Sequence, residues 1–153
     1  MKIKSVNRHA TNAGSVIVRK LVLLLLVFSF AGCGSIISTF DQYAYVQTTS
    51  LKVDALNLMG QATDSFTLHA KDVAEVKLNL QKVYEYERNR PKNEITIQQW
   101  NMLLNPEGHL LGGFLKRWED KSVLGATFVD EEKKIISEAF DQIAGLESGK
   151  IKK

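Results

Sequence analysis

A twelve-residue apolar run, Leu21 to Gly32, divides this 153-residue chain into two parts with different constraints. Two basic residues, Arg19 and Lys20, precede the run, and the only cysteine, Cys33, follows it directly. As a helix, the run would extend roughly 18 Å, which is short of the ~30 Å hydrocarbon core of a bilayer. It is therefore typical of the apolar segment of an export signal rather than of a transmembrane helix. A folded domain has to come from the residues after it.

The end of the run, Phe30-Ala31-Gly32-Cys33, resembles the lipobox of bacterial lipoproteins. In that family small residues precede a cysteine, the chain is cut before the cysteine, and the thiol is joined to diacylglycerol. The resemblance implies signal cleavage between Gly32 and Cys33, lipidation of Cys33, and a membrane attachment through the N-terminal lipid. Phe30 stands where the family usually has Leu or Val. After export a lone cysteine cannot form an internal disulfide, and lipidation would remove its free thiol. The other interpretation of Cys33 is a small buried residue.

The resemblance divides the chain into a signal peptide (1–32), a lipidated cysteine with a short tether (33–40), a helical domain (41–147) and a basic tail (148–153). A leader beginning near Val16 would have a more typical length, so residues 1–15 left untranslated are a second interpretation. Gly34 differs from the Asp that retains enterobacterial lipoproteins in the inner membrane. We therefore expect the periplasmic face of the outer membrane if the source is Gram-negative.

The net charge of +3 belongs to the leader, which holds five of the 20 basic residues and no acidic residue. The predicted mature chain has 15 basic and 17 acidic residues. A nearly neutral domain lacks the basic footprint of a nucleic-acid-binding protein. We expect no nucleic-acid partner, and 121 residues suffice for one hydrophobic core.

After residue 40 the pattern predicts helix almost throughout. Prolines occur only at Pro91 and Pro106, and no alternating β-branched run is bounded by hairpin turns. We expect an all-α fold, a small four- or five-helix bundle built on an antiparallel helical hairpin. A single extended coiled-coil hairpin is the alternative. The segment from Trp100 to Trp118 argues against it, because its large rings need a core.

The two longer helices are expected from about Asp41 to Ala62 and from an N-cap at Asp64 or Ser65 to Arg90. The first has one apolar row and a neighbouring row that widens the apolar face. The second has two heptad rows that form a seam against a partner helix. These rows are Ala44, Leu51, Ala55, Leu58 and Ala62; Val46, Val53 and Gly60; Phe66, Val73 and Leu80; and His69, Val76 and Val83.

Three further helices have recognisable starts. A capping box at Thr96-Ile97-Gln98-Gln99 predicts one, and Asn105 as a cap before Pro106 predicts the next. Acidic residues from Asp130 to Glu132 predict the start of the last, which is expected to begin its end at Gly145.

Gly112 and Gly113 interrupt the apolar pattern of the fourth helix. In a regular helix each costs about 1 kcal/mol relative to Ala, so they mark a close helix crossing or a break. A phosphate loop would need Lys-Ser or Lys-Thr after the glycines. Close packing is the favoured interpretation.

No metal, cofactor or catalytic group is expected. His69 and His109 are forty residues apart and lack the spacing that places two ligands on one helix face. Asp72 follows His69 by three residues and could orient its imidazole, but a half-buried packing histidine is the favoured interpretation. Trp100, Phe114, Arg117 and Trp118 are the candidate interaction surface, since Trp and Arg are enriched at binding hot spots. The other interpretation of the two tryptophans is core packing.

These features favour a non-catalytic, lipid-anchored interaction module that docks on another envelope component, with an envelope protein as its partner. A second hypothesis is a ligand-binding or inhibitory bundle with an apolar pocket lined by Phe66, Trp100, Phe114 and Trp118. A third is an enzyme whose site combines His69 with distant carboxylates. Beyond the lipobox, the chain resembles small helical bacterial lipoproteins in general and no named family.

Overall fold

The computed structural model describes residues 38–149, which form five α-helices and no β-strand. The helices are α1 (Gln42–Gly60), α2 (Phe66–Arg88), α3 (Glu94–Leu104), α4 (Leu111–Lys121) and α5 (Ala126–Ser148), with a 3₁₀ turn, Gln61–Thr63, after α1. The all-α prediction is confirmed for this part of the chain. The signal peptide, Cys33 and tail residues 150–153 lie outside it. Among the described helices none is long and apolar enough to cross a membrane.

The bundle is built around α1, which packs against both α2 and α5. α1 and α5 are antiparallel: Asp41 contacts Glu147 at one end, and Lys52 forms an ion pair with Asp141 farther along. The two shorter helices, α3 and α4, close the other side of the core. The structure thus has three long helices and two short ones, where two longer and three shorter helices were expected. The extended coiled-coil alternative is wrong, because Trp100 and Trp118 are fully enclosed.

Helix α1 begins where its sequence predicts. The side chain of Asp41 caps it by accepting a hydrogen bond of 3.0 Å from the Ala44 N–H. The predicted core row from Ala44 to Ala62 is buried throughout. The neighbouring row is not part of the core, since Val46 and Val53 are 48% and 57% exposed. The expected wide apolar face of α1 is therefore wrong, because α2 and α5 cover only one side of the helix.

The heptad rows of α2 form the predicted seam. Val73, Leu80 and Val83 are buried, and Phe66 and Val76 pack against the same core from its edge. The helix begins after Ser65 and ends at Arg88, just before Arg90-Pro91 as expected. In the turn that follows, Lys92 has a positive φ of 57°.

The starts of the last three helices differ from the sequence predictions. Helix α3 begins at Glu94, two residues before Thr96, which is buried in its first turn. Helix α4 begins at Leu111 rather than at Pro106, because Asn105 caps a turn: its side chain accepts from the Glu107 N–H and its carbonyl from the Gly108 N–H.

Helix α5 is longer than predicted at both ends. It begins at Ala126, so Asp130 to Glu132 lie in its second turn and do not cap it. It continues through Gly145 to Ser148. The acidic residues do favour a helix, but the helix starts one turn earlier. That extra turn buries Val129 in the core.

The two adjacent glycines in the first turn of α4 allow a close backbone approach. A Cβ at Gly112 would clash with the carbonyl of Leu104, and a Cβ at Gly113 with the carbonyl of Gly108. The turn between α3 and α4 can fold back onto α4 only where these side chains are missing. The close-packing interpretation of the pair is confirmed, and α4 is not broken there.

Replacing Gly113 by Ala should destabilise the domain by about 1–3 kcal/mol, because the turn backbone must move to admit a methyl group. Urea unfolding of a chain beginning at Gly34, followed by circular dichroism, measures the change. Gly145→Ala is the matched control: a Cβ there meets no atom within 4 Å, so it should raise stability by about 0.5–1 kcal/mol. Equal effects at both positions would contradict the close-approach interpretation.

Candidate functional site

Arg90 is the centre of a buried charge cluster at the end of the bundle where the described chain begins. Its guanidinium donates to Glu87 at 2.8 Å and to both oxygens of Glu147, at 2.9 and 3.2 Å. Both glutamates are fully buried, and the Arg90 side chain is only 10% exposed. We call Glu87, Arg90 and Glu147 the Arg90 cluster. It joins the end of α2 to the end of α5.

The same cluster fixes the segment that precedes α1. The Arg90 guanidinium also donates to the Thr39 carbonyl at 2.7 Å, and the Asp41 N–H donates to Glu147 at 3.3 Å. Ser38 donates its backbone N–H to the Lys92 carbonyl and its hydroxyl to the Asn93 side chain. Each described residue from Ser38 to Asp41, except Phe40, is thus hydrogen-bonded to the bundle.

Burial raises one carboxyl pKa in the Arg90 cluster, whereas hydrogen bonding lowers another in the neighbouring residue Asp41. Burial raises the pKa of Glu87 above the ordinary value of 4.5, although Arg90 and Asn93 partly compensate. The pKa of Asp41 is lowered below 3.8, chiefly by the hydroxyl of Tyr86, which donates to it at 2.6 Å. The same bond raises the pKa of Tyr86.

The Arg90 cluster stabilises structure and is not open to a dissolved substrate. Its two carboxylates have no exposed surface, so a dissolved ligand does not reach them directly. Neither glutamate was singled out from the sequence. One signal was available: Glu87 continues the heptad row of Phe66, Val73 and Leu80, and Glu147 continues the buried row of α5. A charge in a core register predicts a buried partner.

The structure moves most of the candidate interaction surface into the core. Trp100, Phe114 and Trp118 are at most 3% exposed, so a surface made of them is wrong. Trp100 packs edge-on against Phe140, and Trp118 donates its indole N–H to the Asp64 carbonyl at 3.1 Å. The rings that were expected to line a pocket pack instead on different neighbours: Phe66 lies edge-on to Trp118, with ring centres 5.5 Å apart, and Phe114 stacks on Phe128.

Arg117 alone among those four residues is exposed, and it lies at a charged cleft of about 410 Å³. Its guanidinium covers the ring of Phe128 at 4.5 Å. Glu132 lines the same cleft, where burial raises its pKa and the charges of Arg117 and His109 oppose that rise. The two signs of charge suit a zwitterionic group or a polar protein segment.

A second depression, of about 570 Å³, lies between α2 and α4, and we call it the leucine groove. Its floor is formed by leucine side chains of the core, and its rim has both basic and acidic side chains. The lining residues are Leu80, Leu104, Leu111 and Leu115 with Tyr84, Pro106 and Gly112, and, at the rim, Lys77, Gln81, Lys116, Glu119 and Asp120.

His69 is half-buried beside Trp118, with ring centres 5.7 Å apart. Its two nitrogens lie 3.5 Å from Asp64 and 3.6 Å from Asp72, so the loop before α2 adds a carboxylate that spacing did not predict. Within residues 38–149 no three His, Cys, Asp or Glu side chains are placed to share a metal ion.

Comparisons with known proteins add no relative. No family model, no curated protein and no solved structure matches this chain significantly.

Arg90→Met should lower the free energy of unfolding by about 3–5 kcal/mol, because it leaves two buried carboxylates without a counter-charge. Arg88→Met is the control, since Arg88 forms an exposed pair with Glu85 at 3.0 Å and such pairs contribute at most about 1 kcal/mol. Urea unfolding at pH 7 measures both. A loss at Arg90 no larger than that at Arg88 would show that the cluster is not a structural tie.

Stability should also fall as the pH rises above about 4.5, through the raised pKa of Glu87. The folded state holds this proton more tightly than the unfolded state, so the unfolded state releases it first and the pH slope is negative. Glu87→Gln should remove that part of the slope, whereas Glu85→Gln, at a side chain 44% exposed, should keep it. Urea unfolding between pH 4.5 and 8 tests this, and an unchanged slope in Glu87→Gln would refute it.

Proposed function

We propose that this protein is a lipid-anchored interaction module of the bacterial envelope, docked through its helical domain on another envelope protein. The observation that carries the proposal is the lipobox-like tetrapeptide ending at Cys33 after a short apolar run. Only residues 34–37 lie between Cys33 and Ser38, the first described residue.

The Arg90 cluster supports this proposal. A lipid at Cys33 would transmit force into the segment that precedes α1, and Arg90 binds that segment directly at Thr39. Its buried charge pairs make the attachment rigid rather than frayed, unlike most chain termini. Because the chain is fixed from Ser38 onward, the domain should stay folded while it is held at a surface.

The charged cleft offers a docking site on such a module. It includes Arg117 stacked on Phe128, a cation–aromatic pair of the kind enriched at binding hot spots. Helix α2 runs from the Ser65 end of the bundle to the Arg90 cluster, and its 23 residues correspond to roughly 35 Å. α5 begins at the end opposite the Arg90 cluster, and the cleft lies along its first turns at Phe128 and Glu132. A partner could therefore reach it without approaching the tether.

Cys33→Ser should abolish incorporation of labelled palmitate and release the chain from the membrane fraction, or leave it uncleaved. The domain should keep its helical circular dichroism, because Cys33 supplies an attachment point only. Cys33→Ser combined with Ser50→Cys is the matched control: it restores a thiol on the exposed side of α1 and should remain unlabelled. Labelling of that control, or wild type without label, would contradict lipidation at Cys33. Crosslinked capture with wild type and Cys33→Ser at equal expression then identifies a partner bound only by the anchored form.

A second candidate function is the binding of a small apolar ligand in the leucine groove. Its volume of about 570 Å³ and leucine floor fit the range of small-molecule sites. This site replaces the pocket that the sequence placed among Phe66, Trp100, Phe114 and Trp118.

Gln81→Trp should fill the leucine groove and reduce binding of an anilinonaphthalene sulfonate probe at least fivefold. Gln81 is exposed on the groove rim, so the fold should survive. Lys82→Trp, one residue away and outside the lining, should leave probe binding unchanged. Fluorescence titration distinguishes them. No probe binding by the folded wild-type chain would exclude this function.

A further inference from the structure

Four aromatic side chains lie at the end of the bundle where the described chain begins. Phe40 precedes α1, Tyr43 and Tyr45 lie in its first turn, and Tyr86 lies in the last turn of α2. The three tyrosines are 51%, 37% and 38% exposed, in that order. We call these four residues the aromatic collar. Ile95, in the first turn of α3, adds a further exposed apolar side chain, 52% exposed.

The collar is held in place by the cap of α1. Tyr43 packs edge-on against Tyr86 with ring centres 4.8 Å apart, and Phe40 lies 6.4 Å from Tyr45. The Tyr86 hydroxyl donates to Asp41, the N-cap residue. Tyr43 and Tyr45 flank Ala44, which is buried, so their rings leave opposite sides of the helix. The rings thus lie on both sides of the start of α1 rather than forming a stripe along the helix.

The chain on either side of the described residues carries charge and reach suited to a lipid surface. Five residue steps from Cys33 to Ser38 span at most roughly 18 Å. α5 ends beside Arg90, through Glu147. The sequence then continues into Lys150, Lys152 and Lys153.

We propose that the aromatic collar rests in the interface of a phospholipid membrane, with the bundle standing on this end. The proposal rests on the lipid anchor of the proposed function. Tyrosine suits this place because its ring is apolar and its hydroxyl is polar, and aromatic residues concentrate at membrane–water interfaces. The lysines that follow α5 attract anionic phospholipid. A collar in the interface holds the charged cleft away from the bilayer, where a protein partner can bind it.

The test measures how deeply single positions lie in the membrane. Lipidated chains with Tyr43→Cys or Tyr45→Cys are spin-labelled and reconstituted in vesicles of phosphatidylethanolamine and phosphatidylglycerol. Val53→Cys on α1 is the matched control, because Val53 is as exposed as Tyr43 but lies about ten residues, or ~15 Å, farther along the helix. Val123→Cys, 50% exposed between α4 and α5, reports the opposite end. Tyr86 stays unchanged, since its hydroxyl binds Asp41.

The measured quantity is the accessibility of the spin label to oxygen and to a water-soluble nickel complex. At positions 43 and 45 we expect the label to be accessible to oxygen, and its accessibility to nickel to be at least threefold lower than at positions 53 and 123. Equal nickel access at all four positions, with the chain still bound to vesicles, overturns the collar proposal and leaves the anchor intact. The unsubstituted chain shows whether the lipid anchor itself is absent. A lipidated Cys33 cannot take a thiol-reactive label, so labelling of that chain shows that the anchor itself is absent, and both proposals fail.

Discussion

A single buried arginine sets the geometry of one end of this bundle. Arg90 lies between Glu87 and Glu147, two carboxylates that would each be strongly unfavourable in the core without it. Glu87 and Arg90 lie close together in sequence, at the end of α2 and in the turn after it, whereas Glu147 comes from the distant α5. Their pairing therefore requires those elements to meet at one place, and Thr39 joins them through its carbonyl. The remaining helices pack within that constraint.

The opposite end is held by backbone hydrogen bonds instead of charge. Phe66 donates to the Ser122 carbonyl and Leu124 to the Ala62 carbonyl, which ties the turn before α2 to the turn before α5. Between these ends, large rings such as Trp100 and Phe140 fill the core. The two ends thus differ in chemistry. One has the buried Arg90 cluster and the aromatic collar, and the other is made of two turns joined by backbone hydrogen bonds. That polarity is what gives the proposed anchored orientation its physical basis.

Periodicity predicted the first two long helices, α1 and α2, well. The core row from Ala44 to Ala62 and the seam of Val73, Leu80 and Val83 are buried where the spacing placed them. Starts of the shorter helices were predicted poorly, because capping residues act locally and can serve a turn as well as a helix. Asn105 shows this: its side chain accepts from the Glu107 N–H in a turn, and α4 begins only at Leu111.

The sequence by itself determined the helical class and the main core rows of α1 and α2, because both follow from residue type and spacing along the chain. The need for glycine at Gly112 and Gly113 came from the tertiary structure, which brings the backbone of Leu104 and Gly108 against them. The tertiary structure alone decided which charges are buried and which aromatic residues are exposed. Glu147 is a buried partner of Arg90 because α5 ends beside the turn after α2, and Trp100 is buried because α3 packs on α5. Both outcomes depend on contacts between segments that are distant in sequence, and the pattern along one helix does not name the partner.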